Sequence, residues 1–370
     1  MQKNSLLLVL LLGAGTLFFM SCQDGALVES EKAGEALVAS SAANQARNGS
    51  LGRIVVANRN SGTVSVINAA TDEVQGTYAL PGADAQPMYV VWSQATNRVF
   101  VGDRANNEVV VFNGKDFSVA GRVPAGEGVF HMWADVKAVN QLWVNNDIDN
   151  TTTVIDPVSL KVLATVDTPY DLVALGGKPH DVLISPEGDY AYISVLGIEG
   201  DNDYVVQFST KTFKETARAA VGQDPHLSAT FENEYLYVPC QNSDAIYVLD
   251  RGTLAFVKMI DAPGAHGAGM PFNGETFYTT NLPNSGNGGL IAVDTNTNSV
   301  SSTVDAPLAV PHNIALAPNA KAAPDAQKLY ITHSGATSSA VSVYDVSGGS
   351  PVFVTIVETG LNPFGIAFMR

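Results

Sequence analysis

The chain has 370 residues, of which 46% are hydrophobic and 15% are charged, and its formal net charge is −16. A chain of this length and apolar content can bury a large core, which excludes a wholly disordered protein. The excess of acidic residues argues against a nucleic-acid partner, because phosphate contacts need clustered Lys and Arg side chains.

The first 21 residues have the pattern of a secretion signal. Lys3 supplies the positive charge, Leu6 to Leu12 form an apolar run, and Ser21-Cys22 follows shortly after it. A small residue directly before cysteine looks like the cleavage box of a bacterial lipoprotein, although Phe19 stands where leucine is usual. We therefore predict a lipoprotein signal peptide over residues 1–21 and lipidation of Cys22, whose acyl chains would hold the protein to a membrane. An uncleaved membrane anchor is the alternative.

The predicted location is the bacterial cell envelope, with the outer membrane favoured and the domain facing the periplasm or the cell surface. Residues 22–51 are rich in Ala, Ser, Glu and Gly, which predicts a flexible tether. Cys22 and Cys240 are the two cysteines of the chain. Lipidation of Cys22 leaves Cys240 alone, so no intramolecular disulfide is expected in the mature protein.

From residue 52 to residue 370 the chain repeats a unit of short strands separated by turns. The inner strands of successive units open at positions 88, 131, 180, 226, 266, 312 and 364, at intervals of 40 to 52 residues. This interval is close to the period of a four-stranded propeller blade. The first unit, at Arg53, lacks an inner strand, and the chain ends on an unpartnered strand at Pro363 to Phe368. We predict an all-β fold, a seven-bladed β-propeller closed by the C-terminal strand joining the first blade, and a monomeric domain.

Two stretches carry a family resemblance. Asn58 to Asn68 (NRNSGTVSVIN) and Pro179 to Ile193 (PHDVLISPEGDYAYI) resemble the YVTN-type repeat of seven-bladed propellers. The resemblance covers residues 53–370. It implies the fold and leaves the function open, because this fold carries binding proteins, lyases, lactonases and metal enzymes.

Histidine recurs at the opening position of the inner strands, which five of the six histidines occupy: His131, His180, His226, His266 and His312. Inner strands run the same way around the central channel, so equivalent residues should lie at one height and the five rings should converge. Neutral imidazole binds copper, zinc, iron or nickel, and the column therefore predicts a metal site. Binding should weaken as pH falls through about 6.5, the usual pKa of histidine. The alternative is that each ring bonds a neighbouring backbone group or lines a wet channel.

Three further residues are candidate ligands or neighbours of ligands. Met88 shares the column in the second blade, and a thioether beside imidazoles favours copper, with zinc as the alternative metal. A plain apolar plug is the other interpretation of Met88. His333 ends the second strand of the last blade, beside the start of the inner strand, and is an extra candidate ligand. Cys240 holds the matching position in the fifth blade, where a small buried hydrophobe is the alternative.

A histidine ring inside a seven-bladed propeller is similar to the propeller domain of nitrous oxide reductase, in which histidines hold a multinuclear copper cluster. The resemblance implies a histidine-held copper site. This sequence lacks that family's adjacent His-His pair, and the family's second copper domain has no counterpart in the 370 residues. The reaction is therefore not carried over.

The sequence predicts a membrane-anchored exported propeller with a histidine-lined metal site at the channel mouth, used for metal handling or redox chemistry. Whether it is an enzyme stays open. One alternative is a non-enzymatic interaction protein, which binds a protein partner on a blade face. Another is a propeller lyase or lactonase in which channel histidines act as acid or base.

Overall fold

The computed structural model of the protein describes residues 51–134, 139–230, 232–271, 273–282, 288–320, 323–348 and 350–370. The predicted signal peptide, the predicted lipidation site Cys22 and the predicted tether up to residue 50 lie outside the described residues. The domain boundaries therefore stay predictions.

The described residues form 28 strands. In chain order they are β1 (Arg53–Asn58), β2 (Thr63–Asn68), β3 (Glu73–Ala79), β4 (Pro87–Ser93), β5 (Arg98–Asp103), β6 (Glu108–Asn113), β7 (Val119–Pro124), β8 (Val129–Ala134), β9 (Leu142–Asn146), β10 (Thr151–Ile155), β11 (Val162–Asp167), β12 (Lys178–Ile184), β13 (Tyr190–Leu196), β14 (Asp203–Ser209), β15 (Glu215–Val221), β16 (Ser228–Ala229), β17 (Tyr235–Cys240), β18 (Ala245–Asp250), β19 (Phe256–Asp261), β20 (Ala265–Gly269), β21 (Thr276–Asn281), β22 (Gly289–Asp294), β23 (Ser299–Asp305), β24 (Pro311–Ala320), β25 (Ala323–His333), β26 (Ala340–Asp345), β27 (Val352–Glu358) and β28 (Pro363–Met369).

Helices are short in the described part of the chain. One α-helical turn, α1, covers Tyr170–Val173, and two 3₁₀ turns cover Arg59–Ser61 and Gln241–Ser243. None of these helices has the length and apolar content needed to cross a membrane.

The strands pair into seven four-stranded antiparallel sheets, which are the blades of a propeller. Six blades take four consecutive strands, and the first has the order β28-β1-β2-β3. In that blade β28 lies antiparallel to β1, with Ile54 opposite Phe368 and Val56 opposite Ile366. The prediction of an all-β seven-bladed propeller closed by its C-terminal strand is confirmed.

Turn chemistry between the third and fourth strands explains why each blade folds locally. The third strand commonly ends at an Asn or Asp whose side chain accepts a hydrogen bond from the backbone two residues later. The Oδ1 atoms of Asn68, Asp156 and Asp294 accept from the amides of Ala70, Val158 and Asn296 at 2.8, 2.7 and 2.8 Å. Such Asx turns favour the hairpin locally.

The apolar core lies between neighbouring blades. Between the last and the first blade, Val56 and Ile67 pack in one buried cluster with Tyr330 and Val341. Two hydrogen bonds to the Asp72 carboxylate, which we call the latches, add to this packing at the same junction. The Tyr330 hydroxyl donates to Asp72 Oδ1 at 2.5 Å, and Lys328 Nζ donates to Asp72 Oδ2 at 2.7 Å. Packing and latches together hold the inner strands around one channel, where the candidate site is built.

Candidate metal centre

The histidines of the site lie in a two-residue segment at the start of each inner strand, which we call the step. In the fourth blade Pro179 pairs with Val195 and Val182 with Ile193, which leaves His180 and Asp181 outside the ladder as a bulge. Six blades show this register shift, whereas in the fifth blade Pro225 bridges Cys240 and the register continues unshifted. Bulges re-aim side chains and are common beside functional sites.

The step has two positions in every blade. The first position holds Met88, Phe130, His180, His226, His266, His312 and Phe364. The second position holds Tyr89, His131, Asp181, Leu227, Gly267, Asn313 and Gly365.

The predicted column of five histidines is therefore wrong at one place. In the third blade Val129, opposite Asn146, is the counterpart of Pro179, so Phe130 takes the first position and His131 the second. Sequence spacing alone aligned Phe130-His131 with Pro179-His180 and missed this one-residue offset. Four histidines form the column, and His131 joins them from the neighbouring position.

The five rings nevertheless meet. Ring centroids lie 4.6 Å apart for His131–His180, 4.9 Å for His180–His226, 3.9 Å for His226–His266 and 4.6 Å for His266–His312. All five residues are at most 6% exposed. The sequence prediction of convergent imidazoles at one end of the channel corresponds to this cluster, and the ligand role of each ring stays a prediction.

Several buried nitrogen and oxygen atoms in the cluster, each a possible metal ligand, have no hydrogen-bond partner among the described residues. They are Nε2 of His131, His180 and His226, both ring nitrogens of His266, and Oδ1 of Asp224. Ligand atoms of His131, His180 and His226 lie within 4.8 Å of one another, and so do those of Asp224, His226 and His266. Buried polar atoms are normally paired, so these two triads could hold a metal.

Asp224 is the residue that sequence reasoning missed. It lies two residues before His226 with a left-handed φ of 60°, a conformation shared by Gly264, Val310 and Asn362 at the matching places. Its amide donates to Asp203 Oδ2 at 2.8 Å, and its Oδ1 lies 3.7 Å from His226 Nε2 and 3.8 Å from His180 Nε2. The tripeptide Asp224-Pro225-His226 was the available signal.

Asp181 orients His131. Its Oδ1 accepts from His131 Nδ1 at 2.9 Å and from the Val182 amide at 2.7 Å, and its Oδ2 accepts from the Leu227 amide at 2.9 Å. Burial acts to raise the pKa of Asp181, but its interactions with His131 and its hydrogen bond from the Leu227 amide bring the pKa below its usual value. The carboxylate therefore stays an acceptor, places the proton on His131 Nδ1 and leaves the Nε2 lone pair for a metal.

Burial also keeps imidazoles neutral. It lowers the pKa of His131, against the opposing charge of Asp181. Burial, reinforced by neighbouring imidazoles, holds the pKa of His180, His266 and His312 well below the usual value of histidine. Lone pairs on these rings are thus available at neutral pH without competition from protons.

The remaining candidates lie differently. His312 Nδ1 is 2.9 Å from Nδ2 of the Asn313 side chain, and His312 belongs to neither triad. In His333, Nδ1 donates to the Ala309 carbonyl and Nε2 accepts from the Ser342 hydroxyl, each at 2.9 Å, so both nitrogens are engaged. Met88 is fully buried in an apolar cluster with Phe100 and Val109. These contacts argue against His333 and Met88 as ligands.

Cys240 is also buried, with its thiol 3.4 Å from the Val238 carbonyl and in apolar packing with Leu236 and Leu249. Burial raises the pKa of this thiol well above its usual value. It is a small core residue here, and thiolate chemistry is disfavoured.

The other half of the channel end is aromatic. Tyr89 lies 3.7 Å from the His131 ring and makes edge contacts with Phe130 and Phe364 at 5.7 and 5.6 Å. Arg104 lies over the Phe130 ring at 5.5 Å. Imidazole and carboxylate donors therefore face an apolar wall, which strengthens electrostatic interactions inside the centre.

Comparison with known proteins supports the fold. No family model matches the chain, and no curated protein matches it. Hydrazine synthase of Kuenenia stuttgartiensis is 15% identical with a TM-score of 0.63, covering 76% of this chain and 89% of that chain. A functionally unknown protein of Desulfotomaculum acetoxidans is 15% identical with a TM-score of 0.67, covering 86% and 99%. A Bacteroides fragilis protein described as a "putative 6-phosphogluconolactonase" is 14% identical with a TM-score of 0.66, covering 88% and 100%. At such identities the likeness shows the fold alone.

Proposed function

We propose that this propeller binds a first-row transition metal through His131, His180, His226, His266 and Asp224. The observation that carries the proposal is the convergence of their unpartnered, buried donor atoms. Each such atom costs about 1–3 kcal/mol when it finds no partner, so a purely structural ring would be expensive to keep. A metal ion supplies the missing partner to several of them at once.

Copper is the first choice of metal and zinc the second. With Met88 buried in the apolar cluster, the choice of copper does not rely on a sulfur ligand. Imidazole with one carboxylate suits copper(II), zinc, iron or nickel, and copper(II) binds such donors most tightly of the divalent series. Copper handling or copper redox chemistry is the role that fits this donor set.

An acid–base role, as in a propeller lyase or lactonase, fits the centre less well. General bases work best when their pKa lies near the operating pH. Burial holds the pKa of His180 and His266 well below the usual value, so these rings are poor proton acceptors at neutral pH. The same lowering suits metal ligands.

The setting proposed for this centre is the bacterial cell envelope, with the YVTN-type repeats forming a domain tethered through lipid on Cys22. The motivation is the Ser21-Cys22 junction after an apolar run. Labelled palmitate should enter the wild-type protein, and Cys22→Ala should leave it unlabelled and release it from the membrane fraction or leave it unprocessed. Equal labelling of both proteins, or labelling of neither, would contradict lipidation of Cys22.

Metal titration of the full-length protein tests the proposal directly. Chelator-stripped protein in detergent should bind copper(II) at micromolar concentration or below, and its melting temperature should rise because metal binds the folded state. Binding should persist below pH 6.5, because burial lowers the pKa of His131, His180 and His266 and delays proton competition. This shifts the loss of affinity to lower pH than the sequence alone suggests.

Met88→Leu is the matched control, since it preserves volume in the apolar cluster and removes the sulfur. It should bind copper like the wild type. A loss of copper affinity in Met88→Leu would return Met88 to the ligand set. Absence of binding of both copper and zinc to the wild type at micromolar concentration would remove the metal centre and favour an interaction protein.

A further inference from the structure

The donors proposed for the metal come from one side of the channel. They belong to the third to sixth blades and to the turn before the fifth, and they are His131, His180, His226, His266 and Asp224. The first, second and seventh blades contribute none of this set. A water or small molecule in an open position of the metal would therefore lie between these donors and the opposite side of the channel.

An aromatic wall, formed by Tyr89, Phe130 and Phe364, closes that opposite side. The three ring centroids lie 5.7, 6.0 and 5.6 Å from one another. The wall also contacts the histidines, with Phe130 5.3 Å from the His180 ring and Phe364 4.3 Å from the His312 ring. A ligand of more than a few atoms would have to separate rings that are already in contact, so the centre has room for a small ligand only.

Two arginines lie over this wall. Arg59 and Arg104 each directly follow the second strand of their blade, β1 and β5. Their Cζ atoms lie 5.8 Å from the Phe364 ring centroid and 5.5 Å from the Phe130 ring centroid. The same position in the other five blades holds Asp147, Gly197, Gln241, Leu282 and Ser334. In a chain with a net charge of −16, arginine thus occupies this position only in the two neighbouring blades beside the wall.

Both guanidinium groups can act on a ligand of the metal. Arg104 Nη1 donates to the Gly128 carbonyl at 3.1 Å and lies 2.9 Å from Asp147 Oδ1, which leaves the N–H groups of Nε and Nη2 as donors. A guanidinium over an aromatic ring offers a planar fork that matches the two oxygens of a carboxylate. The charge of Arg59 reaches the centre, because it adds to burial and to neighbouring imidazoles in lowering the pKa of His312.

We propose that the metal takes a small anion of the carboxylate type in its open position, and that Arg59 and Arg104 attract this anion over the aromatic wall. The anion replaces a water on the metal, so no electron is transferred in this step. The two arginines are half-buried, so an anion arriving from solvent meets them before it reaches the metal. This inference rests on the proposed function, because the anion binds to the same metal.

Anion binding to the copper-loaded protein tests the inference. Full-length protein in detergent is loaded with copper(II) and titrated with azide, a small anion whose charge transfer to copper(II) gives an absorption band. Azide should bind, and formate should displace it from the same position. Benzoate carries the same carboxylate on a ring and should displace azide at least about 10-fold less effectively, because the ring would have to force the wall apart.

Arg59→Gln and Arg104→Gln each remove one positive charge beside the wall. Each variant should bind azide about 10- to 100-fold less tightly than the wild type, as expected when an anion loses a charged partner. Arg218→Gln is the matched control, because it makes the same change in net charge on the outer strand β15. There Arg218 pairs with Glu215 and Asp171, each at 2.6 Å. This control should bind azide like the wild type.

Carbon monoxide separates attraction of an anion from support of the wall. It is neutral and binds the copper(I) form, so its affinity should stay within a few-fold of the wild type in Arg59→Gln and Arg104→Gln. Copper(II) affinity in these variants should be at least that of the wild type, since loss of a positive charge does not weaken the binding of a cation. A parallel loss of carbon monoxide and azide affinity would mean that the arginines only hold the wall, which would overturn the anion site.

The remaining outcomes separate the two proposals. Copper-loaded wild type that binds neither azide nor formate, or that binds azide no more tightly than Arg59→Gln and Arg104→Gln, would overturn the anion site and leave the metal-binding function standing. Displacement of azide by benzoate as effective as by formate would overturn the limit to small anions. Absence of bound copper in the wild type would overturn the proposed function itself.

Discussion

Removal of the last nine residues, Asn362 to Arg370, should abolish cooperative unfolding of the propeller. This truncation deletes β28 and leaves β1 with an unpaired inner edge. Ile54, Val55 and Val56 on β1 are fully buried, and Met369 on β28 packs in the apolar cluster shared by the first two blades. An apolar edge strand that loses its partner is a template for aggregation. The measurement is a thermal melt by circular dichroism together with size-exclusion chromatography.

Phe364→Leu is the control for this truncation. It keeps the β28 ladder and changes only the side chain in the channel, where Phe364 contacts His312 and Tyr89. A core change from Phe to Leu should lower stability by a few kcal/mol at most, with one cooperative transition retained. A truncated protein that melts and elutes like the wild type would show that the latches at Asp72 close the ring without β28.

The fold could be predicted from the sequence because its information is local and repeated. Each blade carries its own short strands and its own side-chain-capped turn, such as the Asx turns at Asn68 and Asp156 and the turn at Ser209 in the fourth blade. Repetition at the interval of a propeller blade reinforced each of these weak signals. Closure of the ring could also be predicted from the strand count, because the first unit lacks an inner strand and the chain ends with an unpartnered one.

The site was predicted less completely, because its geometry depends on register between strands. The offset of His131 arises from where β8 pairs with β9, and a one-residue difference in pairing does not show in blade spacing. This offset also determines the hydrogen bonding of His131, because from the second position its ring reaches the carboxylate of Asp181. A first-position residue in that blade, Phe130, belongs to the aromatic half of the channel instead.

Asp224 escaped prediction for a related reason. Its place in the turn before the inner strand is occupied by Gly264, Val310 and Asn362 in the following blades, so nothing in the repeat marks it as a ligand. Only the left-handed backbone aims its carboxylate at His180 and His226. For Met88 and His333 the position along the strand could be predicted but the direction of the side chain could not, so neither the apolar cluster around Met88 nor the hydrogen bonds of His333 were foreseen.

His226→Ala should cause the largest loss of metal affinity of any single substitution in the centre. His226 is the one residue common to both triads, and its Nε2 lies 3.7 Å from the Asp224 oxygen. Its removal deletes a donor and leaves Asp224 as a buried carboxylate without this neighbour. Loss of an orienting partner behind a ligand typically costs 10- to 100-fold in metal affinity, so loss of this ligand should cost more than about 100-fold.

A graded series makes this expectation specific. Asp181→Asn, which weakens the support of His131 but keeps every ligand, should lose about 10- to 100-fold. His333→Gln should bind within a few-fold of the wild type, because both of its ring nitrogens already have protein partners. Competition titration with a copper(II) chelator at neutral pH measures the series, and apo melts confirm folding. An affinity order in which His333→Gln falls below His226→Ala would move the centre from the channel column to the end of β25. Equal affinities throughout would mean that copper binds elsewhere on the chain, since no arrangement around His226 tolerates its loss without cost.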